Sequence, residues 1–205
     1  MATGLLEVRG TIDLGQFWPH GDSDADTTKI EVRVAPDSFR YRAHAGARFH
    51  VTHTFEGAVV AGRVRVPAIR PGGKIVVRLQ GIDAPELHYR PGACVPGARR
   101  TPTQTELYLR WNHDYRQPMA ETGTRALGRW LGAGDGRSVA CVVRTCVDEP
   151  AEVFDTYGRL VGDIYVRRPR LVDVNHWLVE RGWALPALYS SMLPEEVDAF
   201  VRPSR

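Results

Sequence analysis

In the stretch VVRLQGIDAPE, Val76 to Glu86, an apolar run of strand-forming residues carries one arginine, Arg78. The run ends in a turn that sets two carboxylates, Asp83 and Glu86, around Ala84-Pro85. Pro85 fixes its own φ and restricts Ala84, so the turn would hold both acids and one backbone carbonyl in a set arrangement. A guanidinium in a buried strand is strongly unfavourable without an anionic partner, and a phosphate would be such a partner. Two other stretches carry similar chemistry. DSDADTT alternates Asp22, Asp24 and Asp26 ahead of a strand, and FDTYGRL presents Tyr157, Gly158 and Arg159 after a tight turn. The aspartates suit a hard cation as well as they suit a solvated turn. A calcium loop of the EF-hand kind is excluded, because its sixth position would be Thr27 and its twelfth Arg33. Taken singly, each stretch also describes a surface turn. Together they supply what phosphodiester hydrolysis needs. Fixed guanidiniums and a divalent ion oppose the charge that builds on a five-coordinate phosphorus, and a carboxylate takes the proton of the attacking water.

The elements that must position these groups are mostly strands. LLEVRGTID alternates and predicts a first strand, TKIEVRV a second and GKIVVRLQGI the one that carries Arg78. Between the last two, AGARFHVTHTF and AVVAGRVRV predict a hairpin turning at Glu56-Gly57. QPMAETGTRALGRWLGAG has helical spacing, with Met119, Ala126, Leu127, Trp130 and Leu131 on one side and Gly132 as the stop. RSVACVVRTCV and GRLVGDIYV are further strands. VDVNHWLVERGWA is a helix capped by Asp173 and ended at Gly182, and PEEVDAFV is a short last helix. Short strands with turn signals, followed by helices, imply an α+β fold on a closed or partly open barrel. Met119, Leu127, Trp130, Trp177, Leu178 and Trp183 read as core capping that barrel. Asn175, at a helix start, reads as a tie from helix to barrel through side-chain hydrogen bonds.

With 205 residues, 43% hydrophobic and 25% charged, the chain fits one globular domain, 1–205. A net charge of +3 and a pI near 8.9 are compatible with a polyanionic partner without demanding one. The three cysteines, Cys94, Cys141 and Cys146, are an odd count and do not make a disulfide framework. No apolar run is long enough to span a membrane, and the first residues lack the pattern of a signal peptide. The expectation is a cytoplasmic chain, or a secreted one if a leader has been removed.

Four blocks in order, DADTTKIEV, VRLQGIDAPE, FDTYGRLVGDIYV and VNHWLVERGWA, resemble the thermonuclease family, the staphylococcal-nuclease-like domains. The resemblance covers roughly residues 6–33 and 74–190. It implies a five-stranded OB-type barrel with flanking helices, and a Ca²⁺-dependent nuclease that hydrolyses DNA and RNA with little sequence preference. Carried onto matching positions, Asp26 and Asp83 would be carboxylate ligands of one Ca²⁺, with the carbonyl of Ala84 beside them. Glu86 would act on the attacking water, Arg78 and Arg159 would bracket the scissile phosphate, and Tyr157 would lie within reach of a nucleotide phosphate or sugar. The runner-up is a non-catalytic OB-type module that binds nucleic acid or a partner.

The chain departs from the family pattern in three places. Residues 35–73 form an inserted β-hairpin carrying Arg40, Arg42, Arg48, Arg63, Arg65 and Arg70. This insertion reads either as an extension of a nucleic-acid groove or as a solvated edge whose charges prevent sheet pairing. His50 and His53 fall on opposite faces of one strand, so they and His44 do not assemble a second metal site. Residues 88–117 form a long loop beside the site with Arg90, Arg99 and Arg100, and Trp111 and Tyr115 read either as platforms on which bases stack or, preferably, as a cluster beneath the loop. Thr156 also stands at a position that is often basic in the family.

Overall fold

A computed structural model describes residues 5–35, 37–42, 44, 46–52, 59–60, 64–65, 71–88, 101–103, 117–132, 138–146, 153–188 and 194–201. The described strands are β1 (Leu5–Asp13), β2 (Thr27–Val32), β3 (Phe39–Arg42), β4 (His50–Thr52), β5 (Val59–Val60), β6 (Val64–Arg65), β7 (Lys74–Leu79), β8 (Ile82–Asp83), β9 (Ser138–Cys146), β10 (Leu160–Arg167), β11 (Leu171–Asp173) and β12 (Leu185–Pro186). The helices are α1 (Ala120–Leu131), α2 (Val174–Glu180) and α3 (Pro194–Val201).

Buried and exposed residues alternate along β2 and β10, so each strand has one face to bury. Five strands use that face to enclose a core. β1 pairs antiparallel with β2, β2 antiparallel with β7, β7 in parallel with β10, β10 antiparallel with β9, and β9 antiparallel with β1. The ring closes, which leaves these five strands without a free edge. The fold is α+β, an OB-type barrel with flanking helices. Leu6, Val8 and Ile12 of β1, Ile30 of β2, Val77 and Leu79 of β7, Val143 of β9, and Leu160 and Ile164 of β10 fill the interior. Gly162 permits the tight β9–β10 crossing, since a Cβ there would come within 2.6 Å of the Arg144 carbonyl.

α1 packs Leu127 and Leu131 on this core and stops at Gly132, whose φ of 96° suits glycine. Asp173 caps α2 by accepting from the His176 N–H at 3.2 Å. The Trp130 and Trp177 rings stack 4.3 Å apart and join α1 to α2. Met119 departs from the expected core: it precedes α1 with φ of 70° and is 54% exposed, so the buried face starts at Ala120.

Asn175 is wholly buried and does tie α2 to the barrel. It accepts from the Ile164 N–H at 3.2 Å, and donates to the Gln80 carbonyl at 2.9 Å and to Asp163 at 2.8 Å. Asn175→Ala removes these bonds from the Ile164 N–H and the Gln80 carbonyl and is expected to cost about 3 kcal/mol. Urea denaturation measures it, and a loss under a third of that would assign the tie to apolar packing alone.

The insertion differs from the single hairpin expected. The run holding His50–Thr52 pairs back onto Phe39–Arg42, and β3 in turn pairs with Leu5–Val8 of β1. β5 and β6 pair with each other instead. Strand formation by FRYR, which was not foreseen, captures the first run, because Phe39 buries completely as β3 joins the sheet. His53, Arg63 and Arg70 lie outside the described residues, as do Arg90, Cys94, Arg99, Arg100, Trp111 and Tyr115 in the 88–117 loop. No described helix is long and apolar enough to cross a membrane.

Candidate active site

β2, β7 and β10 run side by side, and Thr27, Arg78 and Val161 occupy one register row across them. Val77 and Leu79 point into the core with no exposure, so Arg78 between them must point to the outer face. Asp26 stands just before β2, and its carbonyl accepts from the Leu79 N–H at 2.8 Å. The turn after β8 brings Asp83, Ala84 and Glu86 back over the same spot.

Arg78 is the hub of this arrangement. One terminal nitrogen lies 2.5 Å from Asp26 Oδ1, and the other donates to Asp83 Oδ1 at 2.8 Å and to the Ile82 carbonyl at 3.2 Å. The anionic partner that a buried arginine requires is therefore supplied within the protein by two of the predicted residues. Asp26 is 1% exposed, and its second oxygen accepts from the Ala84 N–H at 2.7 Å. Burial pushes the Asp26 carboxyl above the ordinary range, against the pull of Arg78 and of the Ala84 N–H. Burial alone would lower Arg78; the charge of Asp26 and the contacts to Asp83 override it and hold the guanidinium protonated.

Arg159 reaches the same place from the start of β10. Its Nε donates to Asp155 Oδ2 at 2.6 Å, and a terminal nitrogen lies 3.4 Å from Thr27 Oγ1. Asp155 builds the turn that aims it, accepting from the Tyr157 and Arg159 N–H groups at 2.9 and 2.8 Å. Gly158 adopts the positive φ of 80° that this turn requires. Tyr157 is 80% exposed, its ring beside the Arg159 guanidinium.

Glu86 is held by its backbone at the foot of the long loop. Its N–H donates to Gln117 Oε1, and its carbonyl accepts from the Gln117 N–H, both at 2.9 Å. Its carboxyl is pushed up to about 7, first by burial, then by the charges of Asp24 and Asp26 and a hydrogen bond to Asp24. A carboxyl tuned near neutrality suits a proton acceptor.

The structure thus brings together Asp26, Arg78, Asp83, Ala84, Glu86 and Arg159, with Tyr157 at the rim. It adds three groups that sequence reasoning left out of the site. Asp24 crowds Glu86 and accepts from the Leu87 N–H at 2.7 Å; its place in the alternating DSDAD run was the available signal. Asp155 was visible as the first residue of its turn. Gln117 carried no signal, since its partner is 31 positions away.

The side chains of Asp24, Asp26, Asp83 and Glu86 offer only oxygen donors, the kind a hard cation takes. In the arrangement described, Arg78 bridges Asp26 and Asp83. Among the described residues no group of three or more His, Cys, Asp or Glu side chains is spaced to hold a metal ion. The chain matches no protein-family model and no curated protein. The thermonuclease resemblance accordingly rests on the four sequence blocks.

Proposed function

We propose that the chain is a Ca²⁺-dependent nuclease that hydrolyses phosphodiester bonds in DNA and RNA with little sequence preference. The observation that carries this reading is the convergence of two guanidiniums, Arg78 and Arg159, with a carboxyl raised to about 7, Glu86, on one outer face of the barrel. Asp26, Asp83 and the Ala84 carbonyl would hold the cation, which when bound supplies positive charge opposite the developing phosphorane. Arg78 and Arg159 bind and orient the phosphate and oppose the charge that grows on its oxygens. Glu86 accepts a proton from the attacking water at a carboxylate oxygen. Gln117 fixes the backbone from which Glu86 works, and Asp155 fixes Arg159.

The test is purified protein with single- and double-stranded DNA and RNA in Ca²⁺, in Mg²⁺ and in chelator. Cleavage is expected in Ca²⁺ and not in chelator, and Glu86→Gln is expected to be nearly inactive. Full activity in chelator would end the Ca²⁺ assignment.

One observation favours a second reading. Arg78 is already neutralised by Asp26 and Asp83, as in an OB-type binding module whose ion pairs serve only the fold. That reading predicts nucleic-acid binding with no cleavage under any metal.

A further inference from the structure

We propose that the β3–β4 pair of the insertion is a second contact for a polynucleotide, in which Arg40 and Arg42 grip phosphates upstream or downstream of the bond held at Arg78 and Arg159. The proposal rests on the nuclease reading for the identity of the polyanion, and it makes that substrate a polymer and not a mononucleotide.

Arg40 and Arg42 are two positions apart on β3, so they share a face and stand about 7 Å apart. Both guanidiniums lie over one ring, that of Phe49, with Cζ atoms 4.1 and 5.1 Å from its centroid. Stacking on the ring holds the planes of both groups and leaves N–H edges for acceptors. Arg9, Arg78 and Arg159 each have a carboxylate on their guanidinium. Among the described residues, Arg40 and Arg42 have none. The acid opposite Arg40 in register, Glu7, lies 4.0 Å from Arg144 instead. Exposed Arg48 and His44 border the pair.

The patch is also suitably placed. β3 follows β2 along the same side of β1, and by register it begins about eight residues, roughly 27 Å along the strand, from the level of Asp26. Exposed Lys29, Lys74 and Arg33 lie along that interval, with Glu31 opposite Lys74 and Asp22 3.6 Å from Lys29. The interval therefore carries both signs of charge, and the second contact rests on Arg40 and Arg42 themselves.

Binding of a fluorescent single-stranded oligonucleotide, long enough to span both sites, is measured against salt in chelator, with Arg40→Ala/Arg42→Ala beside the wild type. Each phosphate contact contributes roughly 0.7 to the slope of log K on log salt for single strands, so the double variant should lose about 1.4. Arg40→Lys/Arg42→Lys should keep the slope, which separates lost charge from lost folding. Cleavage of a dinucleotide in Ca²⁺ should be unchanged in both variants. An unaltered slope in the alanine variant overturns the proposal and leaves the nuclease reading standing. A wild type that binds no oligonucleotide in chelator overturns the proposal, while cleavage in Ca²⁺, measured separately, decides the nuclease reading. Arginine-dependent binding to phosphatidylserine vesicles, with the oligonucleotide slope unmoved, also overturns it and reassigns the patch to a lipid surface.

Discussion

Arg78→Ala should lower the hydrolysis rate by ~10²-fold or more, the usual effect of removing one fixed donor from a developing oxyanion. The same substitution should cost about 3 kcal/mol of stability. Asp26 is 1% exposed and, among the described residues, takes its one guanidinium contact from Arg78, and a buried carboxylate stripped of its partner is strongly unfavourable. Arg159→Ala provides the contrast. Its expected rate loss is of the same order, but its Asp155 ion pair is partly solvated, with side-chain exposures of 29% and 18%. That pair contributes only about 1 kcal/mol. Rate at saturating substrate and urea denaturation, run on both variants, separate the two roles of Arg78. A folded Arg78→Ala protein with near-wild-type rate would remove this arginine from the chemistry and reduce it to a clamp between Asp26 and Asp83.

That double role explains what the sequence disclosed and what it concealed. The barrel was legible because its strands alternate: LLEVRGTID and GRLVGDIYV bury every second side chain over most of their length, and period two survives any detail of packing. The α2 boundaries were legible because Asp173 and Gly182 are local signals. The insertion misled because AGARFHVTHTF and AVVAGRVRV were each good strands, and propensity does not say which strand is the partner. Phe39 decided it, by burying as β3 joined β1, and that is a tertiary fact. Met119 misled because one residue at a helix start lies on the expected face only if the helix has already begun. In the site, the residue types were legible and the pairing was not. A buried arginine announces that it needs an anion, and periodicity cannot tell a phosphate from the Asp26 carboxylate that precedes β2.

Glu86→Gln should lower the rate by ~10²- to 10³-fold, the contribution of one positioned general base, and it should change the pH dependence of stability in the cation-free protein. The folded chain holds the Glu86 proton up to about 7, whereas an ordinary glutamate releases it near 4.5. Between those values the folded state binds more protons than the unfolded state, so stability must fall as pH rises through this window. Below it both states are protonated, and above it both are ionised, so the effect is confined there. Glutamine cannot ionise, and the variant's stability should decline less steeply across the window. Asp26, also raised by burial, contributes a slope of the same sign from its own range, so the decline is reduced rather than abolished. Urea midpoints at intervals from pH 4 to pH 8 in chelator give the comparison. Parallel curves for the two proteins would mean that Glu86 titrates as an ordinary surface acid. The burial of Glu86 and the charges of Asp24 and Asp26 would then have no energetic consequence, and Glu86 would not be tuned to accept a proton near neutrality, whatever the rate measurements show.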